Sequence, residues 1–169
     1  MPPTPVHPAM MAIDELRKDC RSERLRRSGP GGQHRNKVET AAVVTHLPSG
    51  VRAEANERRS QAQNAAVAMQ RLRLRLAIEL RTTPGATPSE LWRRRSAGGS
   101  LRVNPQHAEY PALLAEALDR LAANGWDDRQ AAEELGVSRT ALVRLLKGEP
   151  AAIEQLNACR AARGLRPLR

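Results

Sequence analysis

A short glycine-rich segment contains the residues best suited to chemistry. Residues 28–33 read Ser-Gly-Pro-Gly-Gly-Gln, and three glycines with one proline predict a loop rather than a helix or a central strand. Glycine lets a backbone approach a crowded centre closely and adopts φ > 0 angles that other residues avoid. The backbone N–H of Gln33 can stabilise the charge of an oxyanion or a leaving group. Taken alone, the tripeptide Gly31-Gly32-Gln33 also fits an ordinary surface loop, so the interpretation depends on the neighbouring segments.

The neighbouring segments predict a support for this loop. Residues 20–27 precede it as a short extended segment, and residues 38–46, rich in Val and Thr, predict a strand. Pro48-Ser49-Gly50 predicts a turn, and residues 51–56 the returning strand of a β-hairpin. Residues 60–81 lack Gly and Pro and predict a long helix. The apolar face of that helix consists of Met69, Leu72, Leu76 and Leu80.

Charge indicates a polyanionic partner for the same part of the chain. The net charge is +10, and residues 1–100 carry 18 Lys and Arg against 9 Asp and Glu. Nucleic acid and an acidic membrane are the usual partners of such a protein. No apolar run approaches the roughly 20 residues of a membrane span. Cys20 and Cys159 have no metal or redox spacing, so we expect a reduced, cytoplasmic protein without metal or cofactor.

The order of these motifs resembles the catalytic domain of class I peptide chain release factors. The resemblance rests on residues 27–37, on Thr45 to Val51, and on Glu57-Arg58-Arg59-Ser60-Gln61 before the helix, and it covers residues 16–80. It implies a small α/β domain with a projecting Gly-Gly-Gln loop. It also implies hydrolysis of the ester that links a nascent peptide to P-site tRNA, with Gly31, Gly32 and Gln33 as the catalytic residues. The surrounding RNA can then supply the general base.

The resemblance also implies polar residues that contact RNA or support the loop. These are Ser28, Gly29, His34, Arg35, Asn36, Lys37, Arg58, Arg59, Ser60, Gln61 and Asn64. For each, a solvated surface position is the alternative. Arg35 departs from the family, which usually has a small aliphatic residue there, and it either alters packing or adds a phosphate contact. A catalytic role for His34 or His46 is the less favoured alternative, and His46, at the end of a strand, is expected to be structural.

The second half of the sequence predicts a linker and then short helices. Pro, Gly and Arg clusters in residues 83–104 predict the linker. Helices are expected over residues 111–124, from Asp127 or Asp128 to Leu135, from Ser138 to Gly148, and over 149–163. Residues 131–142 have the rhythm of a helix-turn-helix unit.

These patterns predict an α+β fold in four parts. Residues 1–15 form a flexible N-terminus, residues 16–82 the catalytic domain, residues 83–104 the linker, and residues 105–169 an all-α, helix-turn-helix-like region. About 30 residues precede the loop, too few for the domains that recognise stop codons. We therefore expect a codon-independent peptidyl-tRNA hydrolase that rescues stalled ribosomes.

The expected partners are the large-subunit rRNA and P-site peptidyl-tRNA, together with a glutamine methyltransferase that would modify Gln33. A monomer without membrane association is expected. Two alternatives stay open. The first is a catalytically silent ribosome-associated or assembly factor. The second is a helix-turn-helix regulator that binds nucleic acid, against which stands the net charge of only +1 over residues 101–169.

Overall fold

The computed structural model describes residues 6–25 and 41–169. These form two compact units. Residues 11–76 make up the first, which we call the sheet unit, and residues 6–10 with 77–169 make up the second, the helical unit. Helices and two small sheets occur together, which confirms the predicted mixture of α and β structure.

The sheet unit is a three-stranded antiparallel sheet with two helices. Its elements are α1 (Ile13–Lys18), β1 (Cys20–Leu25), β2 (Ala41–His46), β3 (Arg52–Ala55) and α2 (Gln61–Glu79), whose last three residues belong to the helical unit. The strand order is β1-β2-β3. β2, the central strand, is buried along nearly its whole length, whereas β3 at the edge alternates between exposed and buried residues. Both predicted strands of the hairpin and the long helix are confirmed, and α1 was not predicted.

The predicted turn after β2 is also present. Gly50 has a φ of +72° and donates its backbone N–H to the carbonyl oxygen of His46 at 2.8 Å. His46 is buried, and its Nδ1 lies 2.7 Å from Oγ of Ser49. Burial lowers the pKa of His46, so the ring is neutral within this turn. Its contacts are those of a structural residue.

The helical unit surrounds one buried helix. Its elements are a short 3₁₀ helix (Pro8–Met10), α3 (Glu90–Arg95), β4 (Ser96–Ala97), β5 (Ser100–Leu101), α4 (Tyr110–Ala123), α5 (Asp128–Glu134), α6 (Arg139–Lys147) and α7 (Pro150–Ala161). Twelve consecutive residues of α4, from Tyr110 to Leu121, are buried. A helix buried on every side forms the centre of a core rather than one of its walls. The 3₁₀ helix, α5 and α6 pack against it.

Residues 83–104 are packed rather than extended, which differs from the expected linker. Trp92 of α3 is fully buried and donates its indole N–H to the carbonyl oxygen of Leu135 at 2.9 Å. Glu116 of α4 accepts two hydrogen bonds from Ser89, one from the backbone N–H and one from the hydroxyl, both at 2.6 Å. Buried polar groups of this kind need partners, and Ser89 satisfies Glu116 while it caps α3. The Pro and Gly signals therefore mark turns within a packed segment.

The predicted ends of the C-terminal helices are confirmed. The Asp127 side chain accepts hydrogen bonds from the backbone N–H groups of Arg129 and Gln130, and Ser138 Oγ accepts one from Ala141 at 3.2 Å. Gly125 and Gly136 follow α4 and α5 with φ values of +59° and +65°. Capping residues and terminal glycines are local signals, so the sequence alone locates these helices closely.

His7 makes the stability of the helical unit dependent on pH. Its Nε2–H donates to the carbonyl oxygen of Leu80 at 3.3 Å, and its Nδ1 accepts the backbone N–H of Ala9 at 3.1 Å, which requires a neutral ring. Burial lowers the pKa of His7 below its ordinary value of 6.5, although Asp119 opposes the shift. Because the unfolded chain accepts the proton more readily, this contribution is complete above about pH 6.5 and is lost as the pH falls below it.

We therefore expect the urea midpoint to fall between about pH 7.5 and about pH 5.5, and to fall less in His7→Gln. His46 titrates with the same sign in both proteins, so the difference between them isolates His7. An identical pH dependence of the two proteins would contradict the assignment.

Gly148 is predicted to tolerate no side chain. Its φ of −63° suits any residue, but a Cβ would lie 2.7 Å from the hydroxyl oxygen of Tyr110 and 2.8 Å from Cγ of Pro105. That hydroxyl is itself fixed, because it donates to the carbonyl oxygen of Leu145 at 2.7 Å. We expect Gly148→Ala to lower the free energy of unfolding by about 1–3 kcal/mol.

Gly85→Ala is the matched control, since the nearest atom to its Cβ would be the carbonyl oxygen of Thr87 at 3.5 Å. It should stay within about 0.5 kcal/mol of wild type in urea unfolding. Equal effects of the two substitutions would show that Gly148 is not sterically confined.

Candidate functional site

The predicted catalytic residues Gly31, Gly32 and Gln33 lie outside the described residues. So do six of the flanking residues, namely Ser28, Gly29, His34, Arg35, Asn36 and Lys37. Their roles stay predictions. What the structure describes is the frame that holds this segment, together with Arg58, Arg59, Ser60, Gln61 and Asn64.

Leu25 and Ala41, which flank residues 26–40, lie at the same end of the sheet. The register pairs Leu25, the last residue of β1, with Ala41, the first residue of β2. Paired residues of antiparallel strands have Cα atoms about 4.5–5.5 Å apart. The two points where the chain leaves and re-enters the sheet are therefore adjacent.

The segment that contains Arg58, Arg59 and Ser60 begins at the same end of the sheet. Ala55, the last residue of β3, pairs with Ala42 of β2. Residues 56–60 follow directly and lead into α2. The antiparallel register thus brings the start of residues 56–60 next to the base of residues 26–40, which are about 15 positions or more away in sequence.

Asn64 holds the backbone of Arg58 with both ends of its amide. The side chain is fully buried, its Oδ1 accepts the N–H of Arg58 at 2.9 Å, and its Nδ2 donates to the carbonyl oxygen of Arg58 at 2.9 Å. An asparagine amide has one acceptor and two donors, so it matches a backbone segment in this way. Burial leaves Asn64 with a supporting role in the described structure rather than a surface for RNA.

A second attachment fixes the residues just before Arg58. The guanidinium of Arg71 donates to the carbonyl oxygen of Glu54 at 2.8 Å and to the carboxylate of Glu57 at 2.6 Å. Hydrogen bonds from the backbone N–H groups of Glu57 itself and of Asn56 lower the pKa of Glu57, and Arg71 adds to the effect. An exposed ion pair contributes little stability, so the importance of these contacts is that they position β3 and residues 56–58 against α2.

The side chains of Arg58 and Arg59 are exposed on this fixed backbone, and among the described residues they make no hydrogen bond or ion pair. Ser60 is exposed as well, and its Oγ accepts the N–H of Gln63 at the start of α2 at 3.5 Å. Gln61, the first residue of α2, is half-buried. Two exposed guanidinium groups on neighbouring residues can bind phosphate or another anion.

The arginines further along α2 differ in exposure, since Arg75 is exposed and Arg73 is not. Arg75 donates to the carbonyl oxygen of Arg52, and Arg73 is buried, which lowers its pKa. Sequence reasoning gave no positioning role to Arg71 or Glu57. Their contact joins residues 14 positions apart, and no local pattern reports such a pair.

The described parts of the chain contain no group of three or more His, Cys, Asp or Glu side chains arranged to hold a metal ion. Over residues 6–25 and 41–169, no helix has both the length and the apolar character needed to cross a membrane.

Comparison with known proteins identifies relatives of the sheet unit and of the start of the helical unit. A family model described as "RF-1 domain" matches residues 9–103, more than half of the chain. The chain is 51% identical over 72 residues to peptide chain release factor 2 of Neorickettsia sennetsu, which covers 42% of this chain and 19% of that protein.

Two further relatives give the same result. Peptide chain release factor 1 of Lactiplantibacillus plantarum is 48% identical over 64 residues, 38% of this chain and 18% of its own. Peptide chain release factor 2 of Campylobacter fetus subsp. fetus is 46% identical over 66 residues, 39% of this chain and 18% of its own. The chain thus spans less than a fifth of the length of these curated relatives. The matched range includes Gly31-Gly32-Gln33, and it also includes Asn64 and Arg71, which hold the backbone around Arg58. Because the family model matches more than half of the chain, the chain belongs to the RF-1 domain family.

Proposed function

We propose that this chain hydrolyses the peptidyl-tRNA ester in the peptidyl transferase centre of the ribosome without reading a codon, and so releases peptides from stalled ribosomes. The observation that carries the proposal is the family match over residues 9–103, because it contains both Gly31-Gly32-Gln33 and the clamped Arg58-Arg59 segment. The relatives named as peptide chain release factors support the same reaction.

In this proposal, residues 16–82 act as the catalytic domain and Gln33 acts at the ester. Water attacks the carbonyl carbon, and the bond from that carbon to the ribose oxygen of the terminal adenosine breaks. Gly31 and Gly32 leave room for the RNA, since neither has a side chain. The backbone N–H of Gln33 stabilises the developing negative charge, and ribosomal RNA or the tRNA transfers the protons.

Electrostatics support an RNA partner for the same unit. Residues 1–100 carry an excess of nine positive charges, and Arg58 and Arg59 are exposed on a backbone held by α2. Exposed cations near a site that enters ribosomal RNA neutralise phosphates and fix the orientation of the domain. The large-subunit rRNA and P-site peptidyl-tRNA are the partners of this proposal. The chain acts as a monomer, and Gln33 is a substrate for a glutamine methyltransferase.

Removing the N–H of residue 33 tests the catalytic assignment. Gln33→Pro lacks this donor, and we expect the rate of peptide release to fall by about 10²–10³-fold. Gln33→Ala keeps the donor and changes only the side chain, so its loss should be smaller. The measurement is single-turnover release of labelled peptide from ribosomes stalled on a truncated message.

The same assay separates the alternatives. Equal rates with stop, sense and absent A-site codons are expected for codon-independent release, and activity confined to stop codons would contradict it. If the wild-type chain binds large subunits and hydrolyses nothing on any complex, the chain is a silent ribosome-associated factor instead. Wild-type rates in both Gln33 variants would show that the ester is cleaved elsewhere.

Asn64 provides a second test, directed at the support rather than at the catalytic residues. Asn64→Ala leaves the N–H and the carbonyl of Arg58 without their partners, which we expect to cost about 1–3 kcal/mol of stability and to slow release. Gln63→Ala is the matched control, because Gln63 is an exposed amide one position earlier on the same helix. If Asn64→Ala and Gln63→Ala release peptide at equal rates, the hydrogen bonds between Asn64 and Arg58 do not contribute to release.

A further inference from the structure

Residues 101–169 of the helical unit have a strong separation of charge that their net charge conceals. Residues 101–138 contain three basic and seven acidic residues, whereas residues 139–169 contain seven basic and two acidic residues. The first segment therefore carries −4 and the second +5. The net charge of +1 over residues 101–169 is the sum of these two opposite charges, so it is no argument against a nucleic-acid partner of the second segment.

Several of the acidic groups are used inside the unit. Glu116 is bonded to Ser89, and Asp119 accepts the backbone N–H of Thr82 at 3.0 Å and a hydrogen bond from Arg81 at 3.3 Å. Asp128 is buried and accepts from Arg160 at 3.1 Å and from Arg139. Asp119 is paired with Arg81, and Asp128 is paired with Arg139 and Arg160. None of these acids pairs with Arg144, Lys147 or Arg169 in the described structure.

The cations of the second segment line a groove. A cavity of about 570 Å³ lies between α6 and the end of the described chain. Its lining consists of Arg139, Thr140, Val143, Arg144, Lys147, Pro167, Leu168 and Arg169. Four of these side chains are cationic, none is acidic, and Val143, Pro167 and Leu168 supply an apolar part. We call this the α6 groove.

The wall opposite α6 is fixed by hydrogen bonds. Asn157 of α7 donates to the carbonyl oxygen of Leu168 at 3.1 Å and accepts its N–H at 2.8 Å, and Leu168 is buried. Arg160 donates to the carbonyl oxygen of Arg166 at 2.8 Å. The segment that closes the groove is thus held in place, so the groove is a feature of the folded unit.

This geometry disfavours insertion of α6 into the major groove of DNA. A helix that reads bases needs an open face, because the major groove is about 12 Å wide and admits little more than the helix. Residues 167–169 lie along the exposed face of α6, and Arg139 at the first turn is already bound to Asp128. A cationic groove can instead follow the phosphate backbone of a flexible single strand.

A second hollow adds to this arrangement. It measures about 370 Å³ and shares Arg144 and Lys147 with the α6 groove. The rest of its lining is Leu101, Val103, Pro105, Tyr110, Leu145 and Gly148. Arg144 and Lys147 are exposed and border both hollows, which makes them the cations best placed to meet a phosphate.

We propose that the α6 groove binds the phosphate backbone of single-stranded RNA, with Arg144 and Lys147 as its principal contacts. The choice of RNA among polyanions rests on the proposed ribosomal function, whereas the cationic groove is independent of it. The groove would give the chain a second RNA contact, separate from the catalytic domain.

The test is binding of a fluorescent single-stranded RNA of about 16 nucleotides to the full chain, followed by anisotropy over a series of salt concentrations. For Arg144→Gln/Lys147→Gln we expect about tenfold weaker binding at about 0.1 M salt, and a log–log salt slope that is smaller by about 1.4. Arg93→Gln/Arg129→Gln is the matched control, because it removes two exposed arginines of the same unit that do not line the groove.

The basic residues of the sheet unit are the same in all three proteins, so a difference between the two double variants is attributed to the groove. Equal affinities and slopes for the two double variants would overturn the proposal. Tighter, sequence-dependent binding of a DNA duplex, lost in Arg144→Gln/Lys147→Gln, would overturn the choice of RNA. The assay contains no ribosome and no ester, so its outcome is independent of whether the chain hydrolyses peptidyl-tRNA.

Discussion

The antiparallel pairing of β1 with β2 is the constraint on which the candidate site depends. It brings Leu25 and Ala41 together, and the pairing of Ala42 with Ala55 adds the end of β3 to the same place. Two stretches that are distant in sequence thereby start from one edge of a small sheet. The site therefore depends on strand register more than on any single side chain, because a shift of one residue would turn every strand residue to the opposite face.

The helical unit depends on a different constraint, the burial of α4 on every side. Glu116 and Asp119 cannot reach water there, so residues 81–89 must come to them with N–H, hydroxyl and guanidinium donors. The same requirement orders the chain that precedes α3. A segment with the Pro and Gly content of a linker acquires a fixed path because two carboxylates inside the core need partners.

Features encoded by nearby residues could be predicted from the sequence, and features that depend on distant contacts could not. Gly50, Asp127 and Ser138 produce the turn and the helix starts that their positions indicated. Trp92 bonds to Leu135, 43 positions away, and Arg71 reaches Glu54 and Glu57, so neither contact leaves a local pattern. The hydrogen bonds from Asn64 to the backbone of Arg58 likewise leave no local pattern, and its role in supporting the Gly-Gly-Gln loop stays a prediction. The charge separation within residues 101–169 can be counted from the sequence, whereas the groove that brings Arg144 and Lys147 together required the structure.

The start of α2 has a kinetic consequence. Its first turn contains no acidic residue to offset the partial positive charge that backbone N–H groups place at a helix N-terminus, and the nearby carboxylate of Glu57 is paired with Arg71. Arg58 and Arg59, exposed just before it, add two full charges of the same sign. A concentrated positive potential of this kind attracts a polyanion from a distance, within about 8–10 Å at physiological salt. Under the proposed function, this potential accelerates encounters with RNA and orients this end of the sheet towards it before any contact forms.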